Sequence, residues 1–320
     1  MLHPILITGA TGFVGSHLAQ RLVESNHHLL CTIRSEKKIR GLPTHVIGEI
    51  DDKTDWSACL QNIETVIHCA ARVHVMNEAE SDPLQAFRQV NVAGTLRLAE
   101  QAAQAGVLQF IYLSSVKVNG ESTSAGKPFN EEDKPQPSDA YGISKYEAEL
   151  ALLDLSKKTG LSVTIIRPPL VYGTGVAANF LSMLRWVHKQ VPIPLANIQN
   201  RRSLVYVENL VDLIMTCIQN PAAYNQIFLV SDGEDVSTSQ LLKQAAQALQ
   251  VPSRLFSFPI SLLVFFAKLL GKKSVIDRLC QSLQVDISKA RRILNWTPPF
   301  KLDQGLKASI AALTKTDNKK

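Results

Sequence analysis

The sequence has no CxxC pair, and its five cysteines (Cys31, Cys59, Cys69, Cys217 and Cys280) are an odd number spread across 320 residues. That excludes a disulfide framework or a zinc ribbon and fits the reduced thiols of a cytoplasmic protein. Aromatic residues make up only 6%, and Trp56, Trp186 and Trp296 are too dispersed to form a stacking platform for bases. No apolar run is long enough to cross a bilayer. The most apolar stretch, Ile260–Leu270 (ISLLVFFAKLL), is bounded by Pro259 and Gly271 and contains Lys268. It is about half the ~20 residues a spanning helix needs. It reads as a buried helix, with a membrane-surface contact as the alternative. The start, MLHPILITGATG, has no basic n-region and reaches a Gly-rich turn at Gly9, which predicts no secretory leader.

Charge of one sign is not abundant either. Lys and Arg exceed Asp and Glu by 34 − 28 = +6, which suits nucleic acid, an anionic membrane or a phosphorylated small molecule without choosing among them. The basic pairs Lys157-Lys158, Arg201-Arg202, Lys272-Lys273 and Arg291-Arg292 are scattered, and no nucleic-acid-binding signature accompanies them. No nucleic-acid partner is expected. His27-His28 lack further ligands at metal-site spacing, so no metal is expected.

What the chain does contain is alternation. Ile5–Thr8, Leu29–Ile33, His45–Gly48, Thr65–Ala71, Phe110–Ser115 and Val163–Pro168 are short β-branched apolar runs. Helical patterns lie between them at Ser16–Ser25, Val90–Ala105 and Tyr141–Thr159. Strands alternating with helices predict an α/β fold, a doubly wound parallel sheet of the Rossmann kind with its site at the carboxyl ends of the strands. Past about Tyr172 the regularity fades into Pro-punctuated segments such as Val191–Leu195. This predicts a dinucleotide-binding domain over 1–172, with 203–230 returning to it. A smaller interleaved substrate domain would take 173–202 and 231–314, leaving a disordered tail at 315–320.

Gly9-Ala10-Thr11-Gly12-Phe13-Val14-Gly15 follows the first strand and opens the first helix. Three glycines there let the turn close, let backbone N–H groups approach a pyrophosphate, and let helix and strand pack tightly. At the end of the second strand, where an acid would bind a ribose hydroxyl, stands Arg34, followed by Lys37, Lys38 and Arg40. An arginine there accepts a 2′-phosphate, so NADP(H) is expected, with NAD as the other choice. Glu49 and Ile50 close the third strand, where an acid and an apolar neighbour could hold adenine.

Tyr141 and Lys145, in YGISK, stand four residues apart and so share one helix face. A phenol with an ordinary pKa of about 10 is a weak base near neutrality. A nearby ammonium favours the phenolate and moves that pKa towards the working range, so the tyrosine can hand a proton to a carbonyl oxygen while a nicotinamide delivers hydride to its carbon. Ser115, at the end of the FIYLSS strand, can hydrogen-bond the same oxygen.

These motifs resemble the extended short-chain dehydrogenase/reductases, the NAD(P)-dependent nucleotide-sugar epimerase/dehydratase family. The resemblance covers nearly the whole chain: GATGFVG, His68–Ala71, Asn91 in NVAGT, Ser115, YGISK, and RPPLVYG at Arg167–Gly173. It implies Ser115, Tyr141 and Lys145 as the catalytic set. Ala70, Ala71, Asn91, Tyr141 and Lys145 would join the glycine loop as dinucleotide contacts. Asn179 and Arg202 would meet the diphosphate of a UDP-sugar, with Arg278 a further candidate. Two-helix homodimers are usual in such proteins.

The 4,6-dehydratases of this family carry an Asp-Glu pair after the catalytic hydroxyl residue, whereas Val116 and Lys117 stand here. Dehydration is therefore not expected. Stretches such as 70–78 (AARVHVMNE), 200–214 (NRRSLVYVENLVDLI) and 282–299 (SLQVDISKARRILNWTPP) look closest to 4-ketoreductases of surface-polysaccharide pathways. The main expectation is thus NADPH-dependent reduction of a UDP-linked 2-acetamido-4-keto-2,6-dideoxyhexose to UDP-N-acetylquinovosamine. The alternative is a UDP-sugar 4-epimerase, of UDP-glucose or UDP-GlcNAc type, with tightly held NAD. A non-catalytic NADP(H) sensor would lack the Ser-Tyr-Lys set that is present.

Overall fold

The computed structural model describes residues 4–35, 39, 41–73, 82–124, 126–269, 271 and 273–317. The β-branched runs form β1 (Ile5–Thr8), β2 (Leu29–Ile33), β3 (Thr44–Val46), β4 (Thr65–His68), β5 (Gln109–Leu113) and β6 (Ser162–Arg167). The chain continues through β7 (Leu170–Tyr172), β8 (Arg202–Tyr206), β9 (Ile227–Leu229) and β10 (Asp235–Val236). Among the described residues the main sheet holds seven strands in the order β3-β2-β1-β4-β5-β6-β9. All its pairings are parallel. β10, β8 and β7 make a second, small sheet.

The helices are, in chain order, α1 (Phe13–Glu24), α2 (Pro83–Arg88), α3 (Thr95–Gln104), α4 (Ala140–Thr159), α5 (Ala178–His188) and α6 (Val207–Cys217). They continue with α7 (Thr238–Ala248), α8 (Ile260–Leu269), α9 (Lys273–Cys280), α10 (Ser288–Leu294) and α11 (Leu302–Asp317). Strand alternation puts Ile5 and Ile7 in one core, with Leu18 and Leu22 of α1 and Leu210 and Ile214 of α6. Leu6 points the other way, into a core with Leu98 and Ala102 of α3 and Leu152 of α4. Burying one such side chain contributes about 1.5–3 kcal/mol, so helices on both faces are what this strand chemistry demands. A third core joins Tyr172, Tyr206, Leu184, Leu241 and Leu306 around the small sheet. The sheet order reverses between β1 and β4, and that switch point places the crevice for a ligand at their carboxyl ends.

Three expectations are corrected here. The helix expected over Val90–Ala105 starts as a π-helix, Gln89–Gly94, before α3. The wide turn fits because Gly94 lies against Ile50, where a Cβ would come within 2.6 Å of the Ile50 Cγ2. The tail expected over 315–320 is helical as far as Asp317, because α11 continues to that residue; 318–320 lie outside the described residues. The apolar run expected to be a buried helix does form α8, but only Ala267 in it is buried. Leu263 packs against the core around the small sheet, while Leu262, Phe265, Phe266 and Leu269 stay exposed among the described residues. No helix among the described residues is long and apolar enough to cross a membrane.

Candidate active site

β1 is followed by Gly9, whose φ of +72° is left-handed. A Cβ on Gly9 would lie 2.7 Å from the Ala70 nitrogen, and one on Gly15 would lie 2.2 Å from the Gly9 carbonyl oxygen. Only glycine lets α1 start this close to the strand. The turn closes as Gly12 N–H donates to the Gly9 carbonyl at 2.9 Å. Gly12 then caps α1 without a side-chain hydrogen bond. Thr11 and Gly12 are exposed, Phe13 and Val14 half-buried. A helix start with its N–H groups uncapped by side chains and its positive dipole end facing a glycine turn fits a dinucleotide pyrophosphate.

Beside this cradle, β4 ends in the fully buried His68. Its Nδ1 lies 2.7 Å from the Thr8 hydroxyl and its Nε2 3.0 Å from the Thr95 hydroxyl. The Ala70 N–H donates to Thr8 Oγ1 at 3.2 Å, tying the β1 and β4 loops together. Burial, and then the Lys145 charge, push the His68 pKa down to about 3. His68 is therefore a neutral strut. Its folded pKa lies below the unfolded value, so the unfolded chain binds the extra proton and this contribution to stability is lost as pH falls from 6.5 towards about 3. The imidazole should show no NMR titration between about pH 5 and 8; a midpoint near the ordinary 6.5 would show the ring to be solvated.

Asn91 was expected among the cofactor contacts, yet its amide is occupied inside the protein. It accepts from the Arg72 N–H at 2.8 Å and donates to the Arg72 carbonyl and the Ser144 hydroxyl, each at 3.0 Å. Its action is to hold the loop after Ala70 and Ala71 against α4. Ile50, expected beside adenine, is buried in the core under Gly94. Glu49 remains exposed, and one of its oxygens lies 3.9 Å from the Arg34 guanidinium, itself 73% exposed. Lys37, Lys38 and Arg40 lie outside the described residues.

The structure brings Ser115, Tyr141 and Lys145 together. Ser115 follows β5, and Asp139 starts α4 by accepting the Gly142 N–H at 2.7 Å, which sets Tyr141 in the first turn. The Tyr141 phenol hydrogen-bonds the Ser115 side chain. The Lys145 ammonium donates to the Leu113 carbonyl at 2.7 Å and lies 4.5 Å from the Tyr112 ring centroid. It stands 6.0 Å from the centroid of Tyr141. The expected electrostatics are reversed in the protein alone. Burial, and then the Asp139 charge, push Tyr141 up to about 12. Burial lowers Lys145 to about 7, with Cys69 and Glu149 opposing. The ammonium is turned to a carbonyl and another ring, so desolvation outweighs its pull on the phenol.

Behind the set lies a buried network that sequence reading missed. Glu149, on α4, takes two hydrogen bonds from Arg167 of β6, at 3.0 and 2.5 Å. Ser114 also donates to Glu149, and Arg167 donates to Asn119 at 3.1 Å. Both charged side chains are about as buried as the core, at 3% and 2% exposure. The network joins α4 and β6 to Ser114, the chain neighbour of Ser115.

Across the crevice, the Arg202 guanidinium donates to the Arg278 carbonyl at 2.7 Å and the Gln281 carbonyl at 3.1 Å. Burial, and then the Arg278 charge, lower its pKa. An anion such as a diphosphate would offset both effects on Arg202. Asn179 lies in the first turn of α5, and its side chain is outside the described residues. Lys117, where a dehydratase has an acid, pairs with Asp139 and with Glu121. Among the described residues no cluster of metal-ligating side chains occurs. The described cysteine thiols are all free, and burial raises them, Cys69 and Cys217 to about 12.

The model of the NAD-dependent epimerase/dehydratase family matches residues 5–231, a span that holds the glycine cradle, the Ser-Tyr-Lys set and Arg202. The chain belongs to that family. One relative is 48% identical over 318 residues, covering 98% of this chain and 97% of its own: a UDP-glucose 4-epimerase of Vibrio cholerae. A more distant one, 27% identical over 96% of this chain and 94% of its own, is an Escherichia coli N-acetyl-alpha-D-glucosaminyl-diphospho-ditrans,octacis-undecaprenol 4-epimerase. Among solved structures, MoeE5 in complex with UDP-glucuronic acid and NAD superposes with a TM-score of 0.79 at 25% identity, over 98% of this chain and 99% of its own. A Thermotoga maritima UDP-glucose 4-epimerase shares the fold, with a TM-score of 0.78 at 22% identity over 98% and 99%.

Proposed function

We propose that this member of the family is a UDP-sugar 4-epimerase that keeps NAD bound through each turnover. The observation that carries the reading is the 48% identity, over nearly the full length, to a UDP-glucose 4-epimerase. The expected 4-ketoreductase is set aside, because the relatives at hand that act on glycosyl diphosphates are named 4-epimerases. The preference for NADP(H) is set aside with it. Arg34 faces Glu49 across 3.9 Å, so a 2′-phosphate would meet a carboxylate there. A ribose hydroxyl could donate to that carboxylate instead, and MoeE5 holds NAD.

The chain's residues divide the work as follows. Gly9, Thr11, Gly12, Phe13, Val14 and Gly15 seat the pyrophosphate, and Ala70 and Ala71 line the path towards the nicotinamide. Arg202, with Arg278 and Asn179, holds the diphosphate of the UDP-sugar. Bound NAD would supply the hydride acceptor and donor at C4 and, when oxidised, positive charge to the site. Tyr141, as the phenolate, would take the proton of the C4 hydroxyl as hydride leaves the carbon, becoming the neutral phenol, and would return it to the oxygen after the keto sugar has presented its other face. Ser115 hydrogen-bonds the same oxygen, and Lys145 holds the nicotinamide ribose.

Purified protein, denatured and assayed, should release about one NAD per chain, as expected of a cofactor regenerated within each cycle. Added UDP-glucose or UDP-GlcNAc should be converted to a mixture with its C4 epimer and no net change in NADH. One-way oxidation of added NADPH by a 4-keto sugar nucleotide, without epimer exchange, would overturn the reading.

A further inference from the structure

Helix α8 presents an apolar face that stays exposed among the described residues. Leu262 is 46% exposed, Phe265 59%, Phe266 49% and Leu269 74%, while Phe256, just before the helix, is 44% exposed. The Phe265 and Phe266 rings meet edge-on, 5.6 Å between centroids. This is one contiguous segment rather than scattered single side chains, and such patches mark an interaction surface.

The charge of the chain segment that carries the patch points to what covers it. From Val236 to Ile276 there is no Asp or Glu, while Lys243, Arg254, Lys268, Lys272 and Lys273 are all cationic. That segment carries +5, nearly the whole +6 of the chain. Arg254 and Lys268 are exposed next to the phenylalanines. A second copy of this chain meeting face to face would set two such basic surfaces against each other, which disfavours an isologous dimer there. An anionic lipid surface satisfies both halves of the pattern. Its headgroups neutralise the cations, and its acyl boundary takes up the Phe and Leu side chains.

We propose that α8 and the segment leading into it dock the protein on an anionic membrane surface, with the helix lying in the plane of the interface. Its ten residues span about 15 Å. That is half of the ~30 Å hydrocarbon core, so the helix lies on the bilayer rather than through it. α9 packs beside α8, and its Arg278 carbonyl accepts the Arg202 guanidinium. The lipid contact thus sits one short helix away from the two arginines assigned to the substrate diphosphate.

The test uses the full chain and vesicles of phosphatidylcholine, with or without phosphatidylglycerol, in a sedimentation assay that needs no enzymatic readout. The protein should pellet with the phosphatidylglycerol vesicles and be released as salt rises. Phe265→Ser combined with Phe266→Ser should weaken vesicle binding roughly 30-fold. Lys268→Gln should weaken it about five-fold, with the thermal unfolding of each variant as the check on folding. Should the double variant unfold, Lys268→Gln and the salt dependence carry the test alone. A wild-type chain that stays in solution with both vesicles overturns the proposal. So does binding that ignores these substitutions, or a dimer that Phe265→Ser and Phe266→Ser dissolve while vesicles are left unbound.

Discussion

Tyr141→Phe will lower kcat about 10²-fold or more while NAD stays bound and the KM for the UDP-sugar changes little. The substitution keeps the ring that packs edge-on against Phe87 and deletes only the oxygen that reaches Ser115. A proton that must leave the C4 hydroxyl as hydride departs then has no side chain to accept it. The effect belongs in kcat because the phenol's interaction grows in the transition state rather than in the bound sugar. The pKa near 12 in the protein alone sharpens the expectation. Such a phenol becomes a base only when the assembled site adds positive charge, so rates of the wild type should rise with pH on the alkaline side and the Phe variant should lose that limb. Turnover within about five-fold of wild type would remove Tyr141 from the reaction.

Glu149→Gln should cost about 3–5 kcal/mol of stability, read as a lower urea midpoint with an unchanged slope. The loss would come from Arg167, left charged and buried without its counter-charge, and with an amide NH2 in place of one of its two acceptor oxygens. Replacing both partners by Leu and Met should recover most of the loss, because the desolvation of two charges is then avoided as well. A change under about 1 kcal/mol for the single variant would mean that water reaches the pair. Since Ser114 precedes Ser115 and Glu149 stands one helical turn beyond Lys145, the same substitution loosens the wall against which the catalytic groups rest.

The parallel sheet and the glycine cradle were legible because both are local. β-branched runs of five or so residues bounded by polar turns have few other uses, and Gly9 and Gly15 stand where a Cβ would strike backbone. Tyr141 and Lys145 could be paired by their four-residue spacing, and the family resemblance added Ser115 to them. Their electrostatics could not be read in this way, because the direction of the Lys145 ammonium, towards Leu113 and Tyr112, is a property of packing. Glu149 was invisible for a related reason: a carboxylate in the middle of a helix normally faces water, and only the approach of Arg167 from β6 reveals otherwise. The apolar run at α8 misled because hydropathy reports composition and says nothing of whether a neighbour exists to cover it. Arg34 was read without Glu49, which is fifteen residues distant in sequence but beside it across the strand ends.

The position of β9 has a consequence for how the chain is made. It pairs with the outer side of β6, yet β7, β8 and two helices intervene before it. A chain emerging from the ribosome can therefore assemble β1 to β6 while the edge of β6 still offers unpaired N–H and C=O groups to any strand nearby. That edge closes only once Leu229 has been synthesised. Until then the nascent nucleotide fold is a template for mispairing, and this non-local closure sets a slow, aggregation-exposed stage in its biogenesis.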